Sequence, residues 1–235
     1  MEKRVSRVLL IAYTHYARDG RVKRHAESLA ARGDRVDVIS LGAEQSGPAN
    51  GVNVIGLPVV RYRGGSRLRY LLSYLGFFAR AAAKAVELSR IAPYQIAIVC
   101  TMPDAAIVSA LPLRAFGTRI VLDVHDTMPE LYLDKFGGTR GALGARVLRL
   151  EERICGALAD GVLAVHQGHG ERLAAAGIAA GKIRVVVNSP DPRIFTGNRR
   201  IAPAGDSFTI VCHGTIARRL GLDTALRALH MARRS

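Results

Sequence analysis

Between Val8 and Val187, short apolar runs rich in β-branched residues alternate with longer stretches whose apolar residues recur at helical spacing. Parallel strands need a crossover between them, so this alternation points to an open α/β sheet with helices on both faces. Strands are expected over residues 8–13, 35–41, 52–57, 95–100, 119–124, 161–165 and 183–187. Helices are expected over 19–32, 68–91, 104–116, 142–158 and 167–176. In the first helix Val22, Ala26, Leu29 and Ala30 form one apolar face, and Gly33 stands where a C-terminal cap belongs. In the fourth helix Leu143, Val147, Leu150, Ile154 and Leu158 share a face. Residues 199–206, with Pro203 and Gly205, read as a linker. A further strand (208–212) and helix (220–233) follow it. One strand and one helix bury no core of their own, so the division expected is a first domain over 1–200 and the start of a second over 201–235.

In such a sheet the ligand-binding loops follow the carboxyl ends of the strands. The loop after the first strand lacks GxGxxG, and no GxxxxGK[ST] occurs anywhere, which argues against dinucleotide and P-loop chemistry. It carries Arg18-Asp19-Gly20-Arg21 instead. Asp19 is a natural helix N-cap, and Arg18 or Arg21 is placed to meet a phosphate; a capped helix with a solvated basic face is the simpler reading. His125 follows the apolar residues Ile120 to Val124, with Asp126 and Glu130 in the same loop. There it can donate to a sugar hydroxyl or carry a proton near neutral pH. Alternatively it is a loop histidine bonded to Asp126. Pro129 suits a helix start, which would make Glu130 a helix-dipole residue.

The net charge of +15 over 235 residues implies an anionic partner. Between Arg61 and Arg90 seven basic residues face one acid, Glu87, with tyrosines, phenylalanines and leucines interleaved. Arg67, Arg69, Arg80 and Lys84 would suit an anionic membrane surface. A core helix with a basic outer face explains the same pattern. The aromatics follow packing periodicity without any RNA- or DNA-binding motif, so nucleic acid is not the expected partner. No run of about 20 apolar residues spans a membrane, and the apolar run after the basic N-terminus is too short for a signal peptide. A cytoplasmic location is expected. Three widely spaced cysteines, Cys100, Cys155 and Cys212, have no metal-ligand spacing and read as reduced, mostly buried thiols, with no metal expected.

In order, Asp19-Gly20-Arg21-Val22, His125-Asp126-Thr127-Met128-Pro129-Glu130, Asn188-Ser189-Pro190-Asp191 with Phe195, His213-Gly214-Thr215 and Gly221-Leu222-Asp223 resemble the family-4 glycosyltransferases of the GT-B fold. The resemblance covers their first domain and the opening of their second. It implies two Rossmann-like domains facing a cleft, and transfer from a nucleoside-diphosphate sugar with retention of configuration and no obligatory metal or cofactor. His125 would be the catalytic position, and Arg18, Asp19, Arg21, Asp126 and Glu130 would line the acceptor. Asn188, Gly214, Arg218 and Arg219 would begin the donor site. The acceptor implied is lipid-linked or a polysaccharide, displayed at the inner face of the cell membrane. The family's acidic donor-binding residues lie beyond Ser235, so this chain alone is expected to bind rather than catalyse. A non-catalytic acceptor-binding subunit and a sugar-nucleotide epimerase remain alternatives.

Overall fold

The computed structural model describes residues 5–60, 62, 64, 66–191, 195, 210–212, 214, 216 and 220–232, with the backbone alone at Arg67 and Arg140. The chain divides into two compact units, Met1–Ser189 and Pro190–Ser235.

The first unit is an eight-stranded sheet, and its strands are β1 (Arg7–Ala12), β2 (Arg35–Leu41), β3 (Gly47–Ala49), β4 (Val52–Leu57), β5 (Ile96–Cys100), β6 (Arg119–Val124), β7 (Gly161–Ala164) and β8 (Ile183–Val185). Their spatial order is β3-β4-β2-β1-β5-β6-β7-β8. Every pairing is parallel except β3 with β4. Central parallel strands are buried on both faces, which is why they read as continuous apolar runs rather than alternating ones. In β1, Leu9 and Ile11 enter one core, while Val8 and Leu10 enter the other.

One face is covered by α1 (Gly20–Ala31), whose Val22 and Ala26 pack on Val8, Leu10, Val36 and Val38. The opposite face carries α2 (Arg67–Ile91), α4 (Gly138–Leu158) and α5 (Gln167–Ala175). Phe77, Phe78, Ala81 and Ala85 of α2 share that core with Cys155 of α4 and Leu173 of α5. α3 (Met128–Phe136) packs against α4. Gly33, at φ +101, ends α1 as expected.

In the first unit four sequence expectations change. Residues 104–116 form two 3-10 segments, Asp104–Ser109 and Leu111–Phe116, instead of one α-helix. Pro112 explains this: it lacks an N–H and disfavours the α region at Leu111. The Gly/Pro/Asn-rich loop is a hairpin, with β3 antiparallel to β4 around Asn50 (φ 50) and Gly51 (φ 79). Two successive positive φ values are the Asn-Gly turn signature. The helix expected from residue 142 begins earlier, at Gly138, and Gly137 and Gly138, both at φ 53, separate it from α3, the helix expected to start at Pro129. Most consequential, the stripe Leu143, Val147, Leu150 and Ile154 points outward, with only Leu158 packed on the core. The small residues Gly141, Ala145 and Gly156 face inward instead. Helical spacing defines a face but not what that face meets.

In the second unit the helix α6 (Leu222–Ala232) follows Gly221, at φ +68, and all its residues are exposed or half-exposed. Residues 210–212 are not in a strand. Residues 208 and 209 of that expected strand, and the linker 199–206, lie outside the described residues. Among the described residues, no helix is long and apolar enough to cross a membrane.

Candidate functional site

β1 lies between β2 and β5, so the chain reverses its direction of travel across the sheet there. Such a switch point opens a crevice beyond the carboxyl ends of the strands. Into it lead Thr14–Asp19 after β1, Thr101 after β5 and His125 after β6.

Asp19 caps α1 by accepting hydrogen bonds from the N–H groups of Arg21 (3.1 Å) and Val22 (3.2 Å). The helix start is thereby satisfied from within. Arg18 is exposed, and Arg21 is half-buried with Nη1 donating to the His125 carbonyl at 3.4 Å. One turn on, at the i+4 position of the same helical face, His25 Nδ1 lies 3.1 Å from Asp123 Oδ2. His125 Nε2 meets that same oxygen at 2.9 Å, and its backbone N–H donates to Thr101 Oγ1 at 3.0 Å. His125 itself is only 9% exposed.

Burial alone would raise the Asp123 carboxyl, but hydrogen bonds from His125 and His25 outweigh it and hold the group well below the usual carboxylate range. Asp123 is therefore an acceptor only. The Nε2 of His125 that faces it therefore donates in that bond. The histidine is bonded to Asp123, two residues before it, and not to its neighbour Asp126 as the alternative reading had it.

Cys100 Sγ lies 3.9 Å from Asp123 Oδ2. Ligand atoms of Cys100, Asp123 and His125 fall within 4.8 Å of one another, a grouping of metal-binding types that wide sequence spacing had hidden. Burial, then the charges of Asp123 and Asp19, push the Cys100 thiol well up, so it stays protonated. The arrangement is a hydrogen-bonded cluster centred on one carboxylate. Cys155 is also buried, whereas Cys212 is exposed.

Asp126 is half-buried. Glu130, in the first turn of α3, pairs with Arg172 of α5 at 3.3 Å and lies 3.9 Å from Arg149. Arg172 also bonds Glu152, which is 1% exposed. Nearby Asp104 is pushed up to about 7 by burial first and then by Glu151 and Glu152, with Arg172 acting the other way. Glu130 thus serves at least as a tie between α3 and α5. Asn188, after β8, accepts from Arg24 of α1 at 3.0 Å, and Arg24 also donates to the Ser189 carbonyl. Gly214 belongs to the second unit and has φ +134, a conformation open to glycine. Arg218 and Arg219 lie outside the described residues. On α2, Arg69 is exposed, Arg80 Nη1 donates to the Gly76 carbonyl at 3.3 Å, and Lys84 pairs with Glu87 at 2.7 Å. The side chain of Arg67 lies outside the described residues.

Sequence reasoning missed His25, Asp123, Cys100, Thr101, Asp104 and Arg172. Two of them left a signal. Asp123 interrupts an otherwise apolar strand, and His25 stands four residues after Arg21.

The sequence profile of the glycosyl transferase 4-like domain matches residues 20–189. No curated protein matches the chain. Among solved structures, the glycotransferase of kitacinnamycin is 13% identical, with 91% of this chain and 60% of that one covered and a TM-score of 0.56. LpCGTa in complex with UDP is 14% identical, with 83% and 56% covered and a TM-score of 0.54. Alr3699/HepE of Anabaena in complex with UDP-glucose is 17% identical, with 80% and 45% covered and a TM-score of 0.49. At these identities the first two likenesses establish a shared fold, that of the GT-B glycosyltransferases. The chain spans roughly half of each matched structure. The profile covers most of the chain, including Arg21, His25, Thr101, Asp123 and His125, and the chain belongs to the glycosyl transferase 4-like domain family.

Proposed function

We propose that this chain is the acceptor-side half of a glycosyltransferase that moves a sugar from a nucleoside-diphosphate sugar to a lipid-linked or polysaccharide acceptor, with retention of configuration. The observation that carries the reading is the fixed ring of His125 at the switch-point crevice. With Nε2 committed to Asp123, Nδ1 is the ring atom left to form a hydrogen bond with a sugar hydroxyl. Ring orientation is set by buried partners rather than by the ligand, so little is lost in ordering it on binding.

Arg18 and Arg21 would attract the acceptor or its phosphate, with Asp19 and Asp126 beside them. Glu130 would act on the same loop through Arg172. Asn188, Gly214, Arg218 and Arg219 would open the donor side, and the UDP bound by LpCGTa is consistent with a nucleoside diphosphate there. Neither a metal nor another cofactor is required by this scheme. The basic surface of α2, with Arg67, Arg69, Arg80 and Lys84, would hold the protein at the cytoplasmic face of the cell membrane.

Full-length protein incubated with labelled sugar nucleotides and a membrane extract should move label into lipid or polymer. Release of only an epimerised free sugar nucleotide would sink the transfer reading. The other reading is a non-catalytic acceptor-binding or membrane-docking subunit with a separate donor-binding partner. A stop codon directly after Ser235 favours that subunit, whereas another domain's length of reading frame favours a single enzyme.

A further inference from the structure

The outward stripe of α4 is apolar without cover in the first unit. Leu143, Val147, Leu150 and Ile154 are 65%, 60%, 59% and 49% exposed, and the stripe runs about 17 Å along the helix. Helices of globular proteins usually turn such a stripe to the core. The charges on α4 are sorted as well. Arg146, Arg149 and Arg153 are exposed beside the stripe. Both acids are turned away from it: Glu152 is buried on Arg172, and Glu151 is half-buried with Oε1 accepting from the Ala105 N–H at 3.0 Å. Phe136, at the end of α3, is half-exposed with the Lys135 ammonium 5.4 Å from its ring centroid.

α2 lies over the same face of the sheet, separated from α4 by the 3-10 segments of residues 104–116. Leu68, Leu71, Leu72 and Leu75 in its first half are at least half-exposed. Two helices on one side of the sheet therefore raise apolar crests with basic flanks.

We infer that α4, alongside the first half of α2, is a docking surface for an anionic lipid bilayer, an inference that rests on the membrane part of the function proposed above. The aliphatic side chains enter the headgroup–acyl boundary while the arginines meet lipid phosphates. Charge decides against a second copy of the chain. A two-fold pairing of this surface would set arginines against arginines with no exposed acid on α4 to answer them.

Flotation of the full-length protein with phosphatidylcholine vesicles, with or without phosphatidylglycerol, tests this. Partition should require the anionic lipid. Leu143→Gln with Val147→Gln and Leu150→Gln should lower it by about tenfold or more. Arg146→Glu with Arg153→Glu should lower it comparably, and added salt should weaken wild-type binding. All these positions are exposed, so melting temperatures should hold. Wild-type binding by both α4 variants, with loss on Arg69→Glu and Arg80→Glu, would overturn the α4 assignment and leave docking by α2 standing. Failure of the wild type to bind anionic vesicles would overturn both. A dimer by light scattering that the glutamine variant dissolves would assign the stripe to a second copy and overturn the inference.

Discussion

His125 is visible in the sequence as a polar residue just past an apolar strand, yet its chemistry depends on two residues that spacing could not connect to it. Asp123 comes from the same strand, and His25 arrives from a helix about a hundred positions earlier, both converging on one carboxylate oxygen. Such convergence exists only once β1, α1 and β6 are packed, so no linear pattern announces it. Asp104 was hidden for the same reason: it read as the first residue of a helix. Asp104 is 5% exposed, and burial with the charges of Glu151 and Glu152 raises its carboxyl to about 7. Asp104 thus contributes stability that is full below the unfolded carboxyl range near pH 4 and is lost as pH rises through about 7. Asp104→Asn should therefore make the protein more stable than wild type at pH 8 by about 1–3 kcal/mol, with the gap closing toward pH 4. Urea melts at the two pH values check this; parallel curves would exclude Asp104 as the source.

Elements were legible where local chemistry decides them. Asp19 caps α1, Gly33 ends it, and the central strands are the apolar runs that a doubly covered sheet demands. Asp19→Ala should cost about 1 kcal/mol, whereas Asp19→Asn should keep most of the stability because the amide oxygen still accepts from Arg21 and Val22. Thermal melts of the pair test it, and equal losses would show that charge rather than capping matters at this site. Where elements departed from expectation, a tertiary preference or an overlooked turn signal was responsible. Pro112 broke one expected helix into 3-10 turns, and Asn50-Gly51 made a hairpin of an expected loop. For α4 the period was right and the direction wrong. Small residues let the helix sit close to the sheet, and the large apolar side chains went outward.

For the whole molecule, the alternation of strands and helices carried the architecture, and the ordered motifs carried the family. The profile match over residues 20–189 agrees with both. Donor, acceptor and linkage are not legible at this scale, because the chain spans little more than half of the structures whose fold it shares. The central claim is that the crevice around His125 performs chemistry and is more than a buried knot of hydrogen bonds. Paired turnover and melting measurements on His125→Ala in the full-length protein test it most directly. The account predicts a loss of at least about 100-fold in sugar transfer, with a stability loss of about 1–2 kcal/mol from the missing bond to Asp123. Turnover falling only as far as the folded fraction falls would contradict it.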